Sequence, residues 1–80
     1  MHVAVELSLY PLADDFIPPI HDFIERLKAR TELTVVTNSM STQLSGELAP
    51  VFDALRDEIG RTLAGPHRSV LVLKVLGGGD

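Results

Sequence analysis

The sequence contains no cysteine, which excludes a disulfide framework, a zinc–thiolate site and a thiol nucleophile. Basic residues are also few: seven Lys and Arg against eleven Asp and Glu give a net charge of −4. Nucleic-acid-binding surfaces need clustered basic side chains, so this scattered set argues against DNA or RNA as a partner. No apolar run is long enough to span a bilayer and no charged-then-apolar leader opens the chain. We therefore expect a cytoplasmic protein without membrane insertion.

The remaining composition is that of a small globular protein, with 45% apolar and 22% charged residues. We predict a single domain over residues 1–76 and a flexible, glycine-rich tail over 77–80. A core of this size is only marginally stable on its own. An oligomer that buries further apolar surface is therefore expected.

Four segments have the composition of β-strands. The first alternates apolar and polar side chains and is ended by Pro11. The second and third flank the polar stretch 37–42, Thr-Asn-Ser-Met-Ser-Thr, which predicts the turn of a β-hairpin. The fourth is apolar on both sides, which favours a subunit contact there. The predicted strands are 2–10, 33–36, 42–46 and 69–76.

Two helices are predicted between these strands. Asp14 and Asp15 are expected to cap the first, in which Pro18 and Pro19 fall within the first turn. The second begins around Pro50 and is stopped by Gly-Pro after Ala64. The order βαββαβ predicts a ferredoxin-like α+β sandwich. Its four-stranded antiparallel sheet has the strand order 4-1-3-2, with both helices on one face.

This topology brings the end of strand 1, the start of helix 1, the hairpin turn and the entrance to strand 4 to one end of the sandwich. The candidate residues there are Ser8, Tyr10, Asp14, Asp15, Asn38, Ser39, Ser41, Thr42, His67 and Arg68. Together with Met40, such a rim could hold a small polar heterocycle, since it offers an aromatic ring, hydroxyls, an amide and carboxylates. The alternatives are a solvated loop, aspartates that only cap a helix, a methionine that fills a gap, and a solvated Glu6 on the open sheet face.

Catalytic and metal-binding patterns are weak. No Ser-His-Asp arrangement is motivated by spacing, and no glycine-rich phosphate loop follows a strand. His2, His21 and His67 lack the spacing of metal ligands. We therefore expect no enzymatic activity, no metal and no cofactor.

Several segments form a recognisable set: Ser8–Leu12, Asp14–Phe16, Met40–Thr42 with Leu44 and Gly46, and Val51–Ala54. Together they resemble the thiamine- and hydroxymethylpyrimidine-binding family of the YkoF type. The resemblance implies ferredoxin-like domains that assemble through their sheets and bind thiamine or its pyrimidine half without chemistry. It also implies a ligand site near the matching segments. The residues it carries to this chain are Ser8, Tyr10, Asp15, Met40, Ser41 and Thr42; Asn38 is added from the rim argument.

The sequence therefore predicts a non-catalytic binding protein for thiamine or its hydroxymethylpyrimidine moiety, in vitamin uptake or salvage. It is expected to be a homo-oligomer, a dimer or tetramer, assembled through the sheet and strand 4. The alternative is a structural or interaction module that oligomerises through its sheet and has no small ligand. A small enzyme is a further alternative, whereas RNA binding is disfavoured because the central strands lack exposed aromatics.

Overall fold

A computed structural model describes residues 1–78 of the chain. The elements are β1 (His2–Pro11), α1 (Ile17–Lys28), β2 (Thr34–Thr37), β3 (Thr42–Glu47), α2 (Leu48–Leu63) and β4 (Ser69–Gly77). The strands form one antiparallel sheet in the order β2-β3-β1-β4, which is the predicted order 4-1-3-2 counted from the other edge. The predicted α+β ferredoxin-like fold is confirmed.

The central strand β1 separates a buried face from an open face. Val3, Val5, Leu7 and Leu9 are at most 7% exposed and form one side of the core. The alternate residues lie on the open face of the sheet, because successive side chains of a strand point to opposite sides. The open-face residues of β1 are His2, Ala4, Glu6, Ser8 and Tyr10.

The two neighbours of β1 accompany it over different lengths. β4 pairs with β1 from Val3 to Pro11, whereas β3 pairs with it only as far as Leu7, opposite Thr42. The last residues of β1 therefore have a strand neighbour on one side only. Their edge facing the hairpin is open, and this gap positions the candidate site.

Both helices contribute their apolar stripes to the core. Phe23 and Leu27 of α1 pack with Val51 and Leu55 of α2, and each of these side chains is at most 2% exposed. The chain also approaches itself closely at Gly46, where an added Cβ would lie 2.9 Å from the carbonyl oxygen of Glu32. A side chain at that position would therefore push β3 away from the neighbouring backbone.

The prediction that Asp14 and Asp15 cap the first helix is wrong. The helix begins at Ile17, its N-cap is Phe16, and no side chain caps it. An N-cap oxygen accepts from the backbone N–H of the second or third helical residue. Those residues are Pro18 and Pro19, which have no N–H, so a capping side chain has nothing to bind.

A charged network joins the two helices. The Glu58 carboxylate is 2% exposed. Its oxygens lie 2.8 Å from Nη2 of Arg30, 3.5 Å from Nη1 of Arg26 and 3.6 Å from Nη1 of Arg61. The hydrogen bond to Glu58 raises the pKa of the Arg30 guanidinium above its ordinary value. The network places a buried carboxylate among three cations and fixes α1 against the C-terminal half of α2.

The edge strand β4 is apolar on both faces, as predicted. Val70 and Val72 on the open face are 48% and 45% exposed, and Val75 on the helix side is 48% exposed. β4 extends to Gly77, which pairs with Val3, one residue beyond the predicted strand. The rest of the predicted tail includes Gly79 and Asp80, which lie outside the described residues.

No helix in the described part of the chain has the length and apolarity needed to cross a membrane.

Candidate functional site

Two clefts flank α1 at the end of the sandwich where β1 stops. We call the first the hairpin cleft; it has a volume of about 210 Å³ and lies between α1, the end of β1 and the β2–β3 turn. Its lining is Leu7, Ser8, Leu9, Tyr10, Ile20, Phe23, Ile24 and residues 37–42. The second, the proline cleft, has a volume of about 380 Å³. Its lining is Asp15, Pro18, Pro19, Asp22, Arg26, Arg61, Thr62, Gly65, Pro66, His67 and Ser69.

The hairpin cleft combines an apolar floor with a polar rim. Leu7 and Leu9 of β1 and Phe23 of α1 are core residues that reach its base. Hydroxyls and one amide surround them, supplied by Ser8 and the turn residues. The phenol ring of Tyr10 and the thioether of Met40 stand at the opening, 55% and 85% exposed. This arrangement can cover the faces of a flat heterocycle and bond its polar edge.

Asn38 holds the turn in shape. Its side-chain Oδ1 accepts hydrogen bonds from the backbone N–H of Met40 at 2.8 Å and of Ser41 at 3.0 Å. Its own backbone N–H donates to the carbonyl of Ser41 at 3.1 Å. Because an asparagine oxygen used in this way leaves the amide NH₂ group to donate elsewhere, Asn38 can both order the turn and offer donors to a ligand.

Two further contacts tie the turn to the sheet. The hydroxyls of Thr37 and Thr42 lie 3.2 Å apart across the base of the turn. The Ser41 hydroxyl donates to a carboxylate oxygen of Glu6 at 3.2 Å, and the other oxygen of Glu6 lies 3.6 Å from Nζ of Lys74. The rim is therefore connected to a carboxylate on the open face of β1.

Sequence reasoning missed Glu6, which it interpreted as a solvated side chain. The β1–β3 register aligns Glu6 with Gln43, so Ser41, two residues earlier, lies diagonally across on the same face. Alternation shows that Glu6 shares a face with Ser8 and Tyr10. The register of β3, which decides what Glu6 meets, is not visible in the sequence.

The structure brings six of the seven predicted site residues into the hairpin cleft: Ser8, Tyr10, Asn38, Met40, Ser41 and Thr42. The seventh, Asp15, lines the proline cleft on the other side of α1, together with His67. Asp14 and Arg68 line neither cleft, whereas Ser39 lines the hairpin cleft. The predicted rim is thus divided in two by the first helix.

Four polar residues of the proline cleft are bonded to one another or to Glu58, which lies beside it. Arg26 donates to the hydroxyl of Thr62 and pairs with Asp22 at 3.4 Å and Glu58 at 3.5 Å. Arg61 pairs with Glu58 at 3.6 Å. These contacts hold α1 against α2, and a ligand would have to compete with them.

Across residues 1–78, no group of three or more His, Asp or Glu side chains is arranged to hold a metal ion.

Solved structures share this fold. A hypothetical protein from Methanocaldococcus jannascii is 30% identical with a TM-score of 0.83; the alignment covers 99% of this chain and 82% of that one. A protein from Thermotoga maritima, provisionally assigned to thiamine biosynthesis or salvage, is 18% identical with a TM-score of 0.73, covering 98% and 85%. A Streptococcus pneumoniae protein is 20% identical with a TM-score of 0.76, covering 98% and 88%.

No curated protein matches the chain. The family model of the YkoF-related family matches residues 2–68, a span from the start of β1 to the entrance of β4 that includes every residue lining the hairpin cleft. The chain belongs to the YkoF-related family.

Proposed function

We propose that the protein binds thiamine or its hydroxymethylpyrimidine moiety, without catalysis, and serves uptake or salvage of the vitamin. One observation carries the proposal. Residues from two distant segments, the end of β1 and the β2–β3 turn, line one cleft with an apolar floor and a rim of uncharged hydrogen-bonding groups. An aminopyrimidine is flat, with ring nitrogens that accept and an exocyclic amine that donates, so it matches that rim.

The size of the cleft defines which part of the vitamin it would enclose. A volume of about 210 Å³ is below the roughly 300–1,000 Å³ of pockets that bury a drug-sized ligand. We therefore expect the pyrimidine ring to enter, flanked by Tyr10 and Met40, while the thiazolium half extends toward solvent. Glu6, bonded to Ser41 at the rim, takes the place of Asp15 as the carboxylate that favours the thiazolium charge.

Isothermal titration calorimetry with thiamine and with hydroxymethylpyrimidine tests the proposal. We expect binding heat from both, because both contain the pyrimidine ring. The absence of heat from either compound at millimolar concentration would reject it. A melting temperature unchanged across a vitamin panel, in a protein that still forms oligomers, would instead favour the ligand-free interaction module.

A pair of indole substitutions tests the location. Ser39→Trp places a bulky ring in the hairpin cleft and should abolish binding. His67→Trp places the same ring in the proline cleft and should leave the affinity as it is in the unmodified protein. The opposite pattern would move the site to the proline cleft.

The family resemblance and the surface of β4 together support a homo-oligomer. Val70, Val72 and Leu76 are exposed apolar residues on the open face, and Lys74, paired with Glu6, lies between Val72 and Leu76. A second copy placed face to face would bury this row, which a chain of this size can use for stability. Sedimentation velocity should give a mass above the monomer. Val72→Lys should lower the measured mass, whereas Leu63→Lys, at an exposed residue of α2, should not. A monomeric unmodified protein would contradict the proposal.

A further inference from the structure

We propose that the hairpin cleft selects the unphosphorylated form of its ligand, accepting a neutral or cationic aminopyrimidine and rejecting the corresponding phosphate ester. This inference rests on the function proposed above and adds the charge class of the ligand. It follows from which charged groups reach the cleft and which do not.

The lining of the hairpin cleft contains no cation. Within residues 1–78, its side chains are apolar, hydroxyl, amide or thioether groups, without Lys, Arg or His. Phosphate groups are held in proteins by Arg or Lys side chains or by clusters of backbone N–H groups. A phosphate ester that entered this cleft would lose water without gaining a charged partner.

The nearest cations of the sheet lie on the β4 side of β1, whereas the hairpin lies on the β3 side. Lys74 belongs to β4 and Arg68 immediately precedes it, and β4 pairs with the edge of β1 opposite the hairpin. Lys74 is moreover paired with Glu6 at 3.6 Å. Neither side chain lines the hairpin cleft, and the charge of Lys74 is used by the Glu6 carboxylate.

The cations of α1 are also directed elsewhere. The Arg26 guanidinium bonds Thr62 and Glu58 of α2, across the helix from the hairpin. His21 and Lys28 both lie 3.8 Å from Glu25 on the exposed surface of the helix. None of the three lines the hairpin cleft.

The N-terminus of α1, where Pro18 and Pro19 line the proline cleft, does not supply the hairpin cleft with a phosphate site either. A helix N-terminus binds phosphate through the free N–H groups of its first turn. Here Pro18 and Pro19 occupy the second and third positions of the helix, so two of those donors do not exist. The start of α1 therefore lacks two donors and does not line the hairpin cleft.

The one charged group bonded to the rim repels phosphate. A Glu6 carboxylate oxygen lies 3.2 Å from the Ser41 hydroxyl. An anionic ester near Ser41 would lie close to a like charge, whereas a thiazolium would be attracted. Missing cations, missing amides and a nearby carboxylate therefore all favour the unphosphorylated ligand.

Calorimetry at one fixed ionic strength tests the inference, with thiamine against thiamine monophosphate and hydroxymethylpyrimidine against its phosphate. We expect hydroxymethylpyrimidine phosphate to bind at least about tenfold more weakly than hydroxymethylpyrimidine, because its ester group lies beside the ring. Thiamine monophosphate, whose ester group lies at the solvent end of the ligand, should lose less. Equal or tighter binding of hydroxymethylpyrimidine phosphate would overturn this inference and leave the proposed function intact. If none of the four compounds binds, the proposed function fails and this inference fails with it.

Two lysine variants test the cause. Ser39→Lys adds a cation at the turn. The affinity ratio, which is the factor by which hydroxymethylpyrimidine binds more tightly than its phosphate ester, should then fall at least about threefold. Gly60→Lys adds the same charge to α2, where a Cβ meets no atom within 4 Å, and should leave the ratio as it is. An unchanged ratio in Ser39→Lys, or an equal change in both variants, would overturn the assignment to local charge.

Discussion

The hairpin cleft and the proline cleft share α1 as a wall but use their polar groups differently. In the larger proline cleft, the arginines bond carboxylates and a hydroxyl that belong to the junction of the two helices. In the smaller hairpin cleft, the hydroxyls and the amide are uncharged and bond mainly their own turn. Volume alone would favour the proline cleft as a binding site, but Arg26, Arg61 and Thr62 already have partners there.

The difference follows from what each cleft has to support. Glu58 is nearly fully buried, and a buried carboxylate destabilises the fold unless cations and hydrogen bonds surround it. Arg30 donates a hydrogen bond to Glu58, and Arg26 and Arg61 of the proline cleft pair with its other oxygen at 3.5 and 3.6 Å. The hairpin cleft contains no such charge, so its hydrogen-bonding groups need only keep the turn in shape. We therefore expect changes to the charged groups beside the proline cleft to alter mainly stability, and changes to the hydroxyls of the hairpin cleft to alter mainly binding.

The largest expected effect comes from truncating a core side chain at the floor of the hairpin cleft. Phe23 is 1% exposed and belongs to both the core and the floor of the hairpin cleft. Phe23→Ala should lower the free energy of unfolding by about 3–5 kcal/mol, through lost burial and the cavity left behind. Urea denaturation measures this. Phe52→Ala, at a ring that is 39% exposed, is the control and should lose clearly less; an equal loss would contradict the assignment.

The second largest effect is expected at Glu58, the buried carboxylate that pairs with arginines beside the proline cleft. Glu58→Gln keeps the shape of the side chain but weakens its bonds to Arg26, Arg30 and Arg61. The free energy of unfolding should fall by about 2 kcal/mol, the scale of hydrogen bonds to charged groups. Thiamine affinity should not change.

The control for Glu58 is Asp53→Asn, which removes an exposed pair with Arg56 at 3.4 Å. Exposed pairs contribute little, so its effect should be about 0.5 kcal/mol or less. A loss of ligand affinity in Glu58→Gln would contradict the separation of the two clefts.

A smaller effect is expected at the hairpin turn. Asn38→Ala removes the acceptor for the N–H groups of Met40 and Ser41, with a stability loss of about 1 kcal/mol. Hydrogen exchange of those two amides should accelerate. Asn38→Asp keeps an acceptor oxygen and should protect them; unprotected amides in this variant would show that the turn does not depend on this oxygen.

The smallest change in stability is expected from a variant that should weaken binding while leaving the fold intact. Thr42→Val keeps the shape of a buried side chain and removes its hydroxyl, and Thr37, its exposed partner, can bond water instead. Stability should change by less than about 1 kcal/mol, while thiamine affinity falls about fivefold. Thr62→Val, in the proline cleft, should leave affinity unchanged. If both valines weakened binding equally, the site would not be confined to the hairpin cleft.

Much of the fold could be predicted from local patterns. The alternation of Val3, Val5, Leu7 and Leu9, the β-branched runs around a polar turn and the two apolar helical stripes gave the correct element order and strand order. Six candidate residues follow from that topology, because antiparallel pairing forces the end of β1 and the β2–β3 turn to one end of the sheet.

The failures have a common origin. Asp15 follows β1 directly, yet α1 separates it from the hairpin, and the capping role of Asp14 and Asp15 is removed by the prolines that follow. Glu6 looked solvated because nothing near it in the chain bonds it. Its partner Ser41 is thirty-five residues away.

Residue spacing was enough to specify the strands, the helices and their connectivity, since hydrophobic periodicity and turn chemistry are properties of near neighbours. Three-dimensional packing alone decided how far β3 accompanies β1, on which side of α1 each polar group lies, and which carboxylate meets the rim. Those outcomes depend on register and helix placement, which arise from contacts between residues far apart in the chain.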